Sequence, residues 1–273
     1  MKTKMLDFRK TYLLPFKYEI PNFTQDFLEK NNLIKRYLKF FKRFIFIFLS
    51  GQSSLEVNDI GSDQKKILWI NVSAPSIGDS LMDLSSRILL KDRKIDLYTE
   101  QNNAEIYRDD LFFSNIYTNK SAILQSDYDL VILDSYSTRS FKVKVSVTPQ
   151  LKYVGMFGYF NGPEVNRVLF SFHRMNQLLG YKSKLNQISK IARPRLSISV
   201  LDKKHIEDRK LPNKYIAISV GGEWAYRTYN NWDKVIENLF NSNREANIVL
   251  VGSDNGIETA KQLTDKFSNY NLI

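Results

Sequence analysis

From Lys65 onward, short apolar runs alternate with stretches that carry apolar residues at helical spacing. This alternation is typical of a parallel sheet built from strand–helix–strand units. The apolar runs predict strands at residues 67–72, 95–98, 130–133, 152–155, 215–220 and 247–251. The helical spacing predicts helices at residues 80–90, 165–179, 232–240 and 257–267. We therefore predict an α/β fold.

A break in this pattern divides the chain into two predicted domains. Residues 180–213 form a long, basic stretch without a clear period, and it contains Pro194 and Pro212. Irregular stretches of this kind commonly join domains. We predict a basic helical extension with a linker over residues 1–64, a first Rossmann-like domain over 65–185, and a second one over 186–273. The second is expected to be incomplete, because only two strands follow Pro212 and typical sheets have more.

The segment before the first strand carries a different pattern. Residues 30–43 hold six basic and no acidic side chains, and apolar residues recur at spacings of three and four: Ile34, Tyr37, Leu38, Phe41, Ile45 and Phe48. This predicts an amphipathic helix with a basic face. Two interpretations stay open: a helix docked on the protein with its charges in solvent, or an anchor over residues 34–48 on an anionic membrane surface. Residues 51–64, rich in Ser, Gly, Asn and Asp, are typical of a linker.

Composition narrows the classes of function. The 273 residues hold 40 Lys plus Arg against 29 Asp plus Glu, a formal charge of +11 that favours an anionic partner. No recognised nucleic-acid module accompanies the charge, so we expect no nucleic-acid partner. The absence of cysteine excludes disulfides and thiolate nucleophiles and predicts a cytoplasmic protein. The most apolar run, residues 44–49, is far shorter than the roughly 20 residues that span a bilayer.

The first predicted strand runs into the turn Ser76-Ile77-Gly78-Asp79, after which the first helix follows. Ligands of open parallel sheets bind beyond the carboxyl ends of the strands, so Asp79 is placed where a substrate would bind. The carboxylate has two interpretations at this point. It can cap the helix by accepting bonds from free N–H groups, or it can act as a general base.

This segment resembles the N-terminal signature of the heptosyltransferases, glycosyltransferase family nine. The match consists of a small residue, the Gly78-Asp79 pair and the apolar helix that begins Ser80-Leu81-Met82, while Ser85 stands where the family commonly has proline. The resemblance implies that Asp79 takes the proton from the acceptor hydroxyl, with Ser76 and Gly78 in the acceptor-side loop. It also implies two Rossmann-like domains of the GT-B type, the first for the acceptor and the second for the donor.

A second match follows the strand predicted at 215–220. Two adjacent glycines allow close approach of the backbone to a ligand, and Arg227 can neutralise a diphosphate, although a glycine turn with a solvated arginine has the same features. In the family, a glycine-containing loop, a basic residue and a tryptophan bind the donor diphosphate here. The resemblance implies donor contacts from this loop and the next glycine turn: Gly221, Gly222, Arg227, Thr228, Asn230 and Gly252. Asn230 replaces the usual lysine, which makes Arg227 the candidate for that charge.

Other polar positions are less specific. Arg139 lies in the loop after the strand at 130–133 and is either a contact for an anionic acceptor or a solvated arginine. Asp127-Tyr128-Asp129 spells a metal-binding Asp-x-Asp motif, but it precedes a strand and so belongs to the end of the sheet away from ligands. His173 and His205 lack the spacing of metal ligands. We therefore expect no metal site.

Taken as a whole, the resemblance implies an inverting, metal-independent glycosyltransferase, and the basic helix at residues 34–48 would fit an enzyme that works at the cytoplasmic face of a membrane. It would move a heptose or similar sugar from a nucleoside-diphosphate donor, without another cofactor, to a glycan or lipopolysaccharide-type acceptor. The family continues through further strand–helix units and a donor motif after the point where this match stops, so the chain is expected to be truncated relative to it. The alternative is a non-catalytic remnant, or a membrane- or glycan-associated binding protein.

Overall fold

The computed structural model describes residues 33–74, 76–124, 127–157, 166–181, 183, 185–222 and 228–273. Its contacts divide the chain into two compact units, Met1–Ser199 and Val200–Ile273. The helices described in the first unit are α1 (Leu33–Leu49), α2 (Ile77–Asp83), α3 (Gln101–Ala104), α4 (Thr138–Val147), α5 (Arg167–Leu178) and α6 (Leu185–Ile191). Its strands are β1 (Lys66–Asn71), β2 (Lys94–Thr99), β3 (Asn115–Tyr117), β4 (Leu130–Leu133) and β5 (Tyr153–Gly155). The second unit contains α7 (Val200–Asp208), β6 (Ile216–Ser219), α8 (Trp232–Ser242), β7 (Ile248–Val251) and α9 (Ile257–Lys266).

The first unit is built on a parallel sheet in the order β3-β2-β1-β4-β5. Ile67 of β1 lies opposite Ile95 of β2 on one side and Leu130 of β4 on the other. The chain therefore winds outward from β1 through β2 and β3, and then returns to β4 on the other side of β1. The carboxyl ends of β1 and β4 form the switch point, where open α/β sheets bind their ligands.

Each face of this sheet is covered by its own hydrophobic core. Leu68 and Ile70 of β1 pack on one face, in a core that includes Phe40 and Ile47 of α1. Trp69 points to the opposite face and packs in a core with Phe170 of α5. β1 is buried on both sides because helices cover both faces, as parallel sheets require.

The segment predicted as a linker packs on the first unit. The Val57 N–H donates to the Tyr153 carbonyl at 2.9 Å, and the Tyr153 N–H donates to the Leu55 carbonyl at 3.0 Å. Nearby, the buried Lys144 of α4 donates from Nζ to the side-chain oxygen of Gln52, and burial lowers the pKa of Lys144 to about 8. These bonds attach the segment that follows α1 to β5 and to α4.

The structure corrects several details of the sequence interpretation. The helix predicted at 80–90 is α-helical only to Asp83 and continues as a 3-10 helix, Leu84–Leu90. Within that turn the buried guanidinium of Arg87 bonds Asp110 and the carbonyls of Leu84 and Arg195, and these bonds fix it on the core. The stretch 180–213, interpreted as irregular, contains the short helices α6 and α7.

The second unit contains a parallel pair, β6 and β7, with Ile216 opposite Ile248. The backbone of Ile273 lies along the other side of β7 and exchanges bonds with Ile248 and Leu250 at 2.9 and 2.7 Å. The core of this unit is formed by β6 and β7 with apolar residues of α8 and the C-terminal segment, including Ile236 and Phe240. The predicted α/β class is confirmed. In the described part of the chain, no helix has both the length and the apolar content needed to span a bilayer.

Candidate functional site

Asp79 lies in the first turn of α2, beyond the carboxyl end of β1. Ser76 is the N-cap of this helix: its hydroxyl accepts the Asp79 N–H at 3.2 Å and donates to Asp79 Oδ2 at 2.8 Å. Gly78 is exposed in the same turn. Ser76 caps the helix, so the Asp79 carboxylate is not used as the cap.

The carboxylate of Asp79 is paired with Arg167, the first residue of α5. Arg167 Nη1 lies 2.8 Å from Asp79 Oδ1. The other edge of the same guanidinium binds Asp83 of α2, with Nη2 at 2.7 Å from Asp83 Oδ2 and Nε bonded to Asp83 Oδ1. The Asp79 side chain is 24% exposed and that of Asp83 only 3%. Asp79 is thus held by protein groups yet open to solvent, whereas Asp83 is enclosed.

A second carboxylate, Asp134, ties the ends of β1 and β4 together. Its Oδ2 accepts the backbone N–H groups of Val72 and Ser73 at 2.8 and 2.6 Å. Its Oδ1 accepts the Ser140 hydroxyl at 2.5 Å. The hydroxyl of Ser73 also lies 2.5 Å from that of Ser137, the N-cap of α4. This network fixes the two loops that leave the switch point.

Burial governs the electrostatics of these carboxylates. It raises the pKa of Asp83 to about 7, against the opposing hydrogen bonds and charge of Arg167, and the negative charges of Asp134 and Asp79 add to the rise. Burial also raises the pKa of Asp134, opposed by the hydrogen bonds that this carboxylate accepts. For Arg167, burial alone would lower the pKa, but the bonds and charges of Asp83 and the neighbouring aspartates raise it overall.

The structure brings the predicted acceptor-side residues to one edge of the first unit. Arg139 is exposed near the start of α4, and its Nη1 donates to the carbonyl of Val72 at 3.1 Å, at the end of β1. Arg139, predicted to lie in a loop, belongs to the first turn of α4. This turn and the first turn of α2, with Ser76, Gly78 and Asp79, therefore both border the carboxyl end of β1. Asp129 lies at the opposite edge, where its carboxylate accepts the backbone N–H groups of Lys65 and Lys66. Among the described residues, no group of three or more acidic or His side chains could hold a metal ion.

The predicted donor-side residues belong to the second unit and follow β6 and β7. Gly221 has φ +88°, and a Cβ there would lie 2.8 Å from Gly256 Cα, so the position requires glycine. Gly252 lines a cavity of about 180 Å³ beyond the strand ends. The Thr228 hydroxyl donates to the carbonyl of Gly222 at 3.4 Å. Asn230 is exposed, and Arg227 lies outside the described residues.

Sequence reasoning missed three parts of this site. Asp83 and Arg167 lie within predicted helices and Asp134 directly follows a predicted strand, and none of the three was named as a site residue. Asp134 carried a signal, because a polar residue directly after a fully apolar strand is placed at the ligand-binding edge. No pattern in the sequence indicated the role of Arg167, because its partner Asp83 is 84 residues away along the chain.

The fold is similar to solved glycosyltransferase structures. E. coli heptosyltransferase WaaC with ADP-2-deoxy-2-fluoro heptose is 16% identical with a TM-score of 0.52, and the match covers 76% of each chain. A glycosyl transferase family 9 structure from Veillonella parvula is 10% identical with a TM-score of 0.55, covering 77% of this chain and 69% of that one. E. coli ADP-heptose lps heptosyltransferase II is 15% identical with a TM-score of 0.50, covering 74% and 69%. No family model and no curated protein matches the sequence. The chain thus has a heptosyltransferase-like, family-nine fold, as the sequence resemblance implied.

We predict that Asp134→Ala destabilises the protein by about 2–4 kcal/mol, because it leaves the N–H groups of Val72 and Ser73 without an acceptor. The free energy of unfolding from urea titration measures the loss. The matched control is Asp127→Ala, at an exposed position, which is expected to change stability by no more than about 0.5 kcal/mol. Equal stability of the two variants would show that Asp134 does not hold the strand ends.

Proposed function

We propose that this protein is a glycosyltransferase that moves a sugar from a nucleoside-diphosphate donor to a hydroxyl group, with Asp79 as the general base. The observation that carries the proposal is the half-buried Asp79 carboxylate at the switch point of the first sheet, bonded by Ser76 and Arg167. The likeness in fold to heptosyltransferases, one of which was solved both with an ADP-heptose analogue and with ADP, supports the donor class.

In the proposed reaction Asp79 removes the proton from an acceptor hydroxyl as that oxygen attacks the anomeric carbon of the donor. The sugar–phosphate bond breaks on the opposite side, so the configuration at the anomeric carbon inverts. General bases of this kind contribute typically 10²–10⁴ in rate. Arg139, exposed in the first turn of α4, is suited to an anionic group of a glycan or lipopolysaccharide-type acceptor.

The donor is proposed to bind at the strand ends of the second unit. The backbone at Gly221, Gly222 and Gly252 can approach a diphosphate closely, since no side chain intervenes. Thr228 and Asn230 offer polar side chains in the same loop, and Arg227 offers a positive charge. The charge that grows on the leaving diphosphate would be met by these groups without a metal ion.

Asp79→Asn is the direct test of the base. With ADP-heptose as donor and a lipopolysaccharide core as acceptor, the release of ADP should fall about 10²–10⁴-fold, because an amide cannot take the proton. The matched control Asp127→Asn changes an exposed aspartate at the other end of the sheet and should retain full activity.

Two outcomes would contradict the proposal. Undiminished ADP release by the folded Asp79→Asn variant would remove the role of the base. A wild-type protein that binds the nucleotide or glycan and never turns over a sugar nucleotide would favour the alternative, a non-catalytic binding protein.

We further propose that the enzyme works at the cytoplasmic face of a membrane, with α1 lying on anionic lipid. α1 docks on the first unit through the buried Phe40 and Ile47. A second apolar stripe, at spacings of four and three, has side chains 48–70% exposed: Ile34, Leu38, Phe41, Ile45 and Phe48. At helical spacing this stripe points away from the docked side. An exposed apolar stripe flanked by basic residues fits a lipid surface.

The basic residues supply the preference for anionic lipid. Lys39 and Lys42 are exposed on α1, and the sequence from residue 30 to 43 contains six basic and no acidic residues. Each such charge near an anionic surface contributes about 1 kcal/mol. A protein partner would have to be strongly acidic and apolar at once, whereas the headgroup region of a membrane offers both features.

Vesicle sedimentation tests this surface. The wild type should bind vesicles of phosphatidylcholine mixed with phosphatidylglycerol and leave pure phosphatidylcholine vesicles largely free. Phe41→Ser/Phe48→Ser should weaken binding at least tenfold, because each buried aromatic contributes about 1.5–3 kcal/mol. The control Leu111→Ser/Leu124→Ser removes two exposed apolar side chains elsewhere and should bind as the wild type does. Equal binding by both double variants, or a dimer held together by the stripe, would contradict membrane docking.

A further inference from the structure

We infer that Arg167 is a positioning residue that fixes the direction of the Asp79 carboxylate, and that the buried Asp83 is the anchor that holds Arg167 in place. The catalytic meaning of this inference rests on the proposed function of Asp79. The inference also makes a purely geometric statement: the Asp79 carboxylate changes direction when the guanidinium of Arg167 is removed. This statement depends only on the observed contacts.

Arg167 uses two separate parts of its planar guanidinium. The edge formed by Nε and Nη2 binds both oxygens of Asp83, which is the bidentate geometry that orients an arginine most firmly. The remaining nitrogen, Nη1, then has one direction left, and it lies 2.8 Å from Asp79 Oδ1. The carbon of the guanidinium also lies 5.5 Å from the centroid of the Phe157 ring, within the range of a cation–π contact.

The sequence of α2 places the two carboxylates on one side of the helix. Asp79 and Asp83 are four residues apart, a spacing that brings like charges into repulsion on a helix surface. The guanidinium of Arg167 lies between them and offsets this repulsion. Asp134 is the further charge that acts on both Asp83 and Arg167. An apolar residue at position 83 would leave Asp79 as the only one of these two carboxylates that binds Arg167. It would also remove the two bonds that hold the Nε–Nη2 edge of the guanidinium and thereby orient Nη1.

The arrangement leaves room for a substrate hydroxyl on Asp79. Oδ1 accepts one bond from Arg167 and Oδ2 accepts one bond from Ser76. Each carboxylate oxygen has two acceptor sites, so one site on each oxygen remains for another donor. A carboxylate fixed at both oxygens presents those sites in one direction, which is the preorganisation that proton transfer requires.

Arg167→Lys tests the positioning role while it keeps the positive charge. An ammonium group cannot bind Asp83 through two parallel bonds and reach Asp79 at the same time. We expect the kcat for ADP release from ADP-heptose to fall about 10- to 100-fold, since small misplacements of a reacting group have effects of this size. The KM for the donor should stay unchanged, because the role inferred for Arg167 is to orient Asp79 and not to bind the donor.

A second variant guards against loss of folding. Arg167→Met/Asp83→Leu replaces the buried pair by apolar side chains, which commonly leaves a fold intact because no unpaired charge remains. It should show the same fall in kcat. The matched control Arg108→Met/Glu105→Leu removes a surface ion pair and should leave kcat at the wild-type value. Full activity of the folded Arg167→Met/Asp83→Leu variant would overturn the inference.

A crystal structure of Arg167→Lys separates this inference from the proposed function. If the Asp79 carboxylate takes a different rotamer there, Arg167 positions it, whether or not a sugar is transferred. If wild-type protein shows no transfer but Asp79 moves in the variant, the proposed function fails and the positioning stands. An unmoved Asp79 carboxylate in the variant would overturn the inference even in an active enzyme.

Discussion

The site depends on the order of the strands in the first sheet. The chain runs from β1 to β2 and β3 on one side, and then crosses to β4 and β5 on the other side of β1. β1 pairs with β2 on one side and with β4 on the other, so the loops that follow β1 and β4 leave the sheet next to each other. Asp134 fixes them by accepting the N–H groups of Val72 and Ser73 from a fully buried position. A buried carboxylate is tolerated there only because its oxygens are occupied by donors. The same point of the fold therefore brings together the buried Asp134 and the solvent-accessible Asp79.

This constraint explains why Asp79 and Asp83, one turn apart on α2, have different environments. Asp79 faces the opening beyond the sheet and retains contact with solvent. Asp83 faces α5 and is enclosed, so burial raises its pKa, while Arg167 compensates its charge. One guanidinium thus connects a structural carboxylate to the carboxylate that we propose for catalysis. Stability and orientation of the site come from the same ion-pair network.

The sequence was informative where a local pattern and the fold agree. Residues 130–133 are all apolar, and the strand that this run predicts has the same bounds in the structure, where every residue of it is buried. Residues 138–147 were missed as a helix because Val143, Val145 and Val147 alternate as in a strand. The helix forms because Ser137 caps it and because Phe141 and Lys144, three residues apart, are buried on one side. Short-range patterns did not contain that tertiary information.

The site could be predicted only in part for the same reason. Asp79 follows a strand and opens a helix, so its place at the ligand-binding edge was visible in the sequence. The partnership of Asp79 with Arg167 joins residues 88 positions apart, and no spacing rule connects them. The periodic pattern predicted the apolar stripe of α1. The pattern did not show that α1 docks through Phe40 and Ile47, because this depends on how the helix packs on the sheet.

The stereochemistry of transfer tests the central claim most directly. A single carboxylate that acts as a base leads to one displacement, and one displacement inverts the anomeric carbon. NMR of the first sugar transferred from ADP-heptose to a lipopolysaccharide core, read from the one-bond coupling between C1 and H1, should show the anomeric configuration opposite to that of the donor. Retention of the donor configuration would require a second displacement and would contradict the role assigned to Asp79.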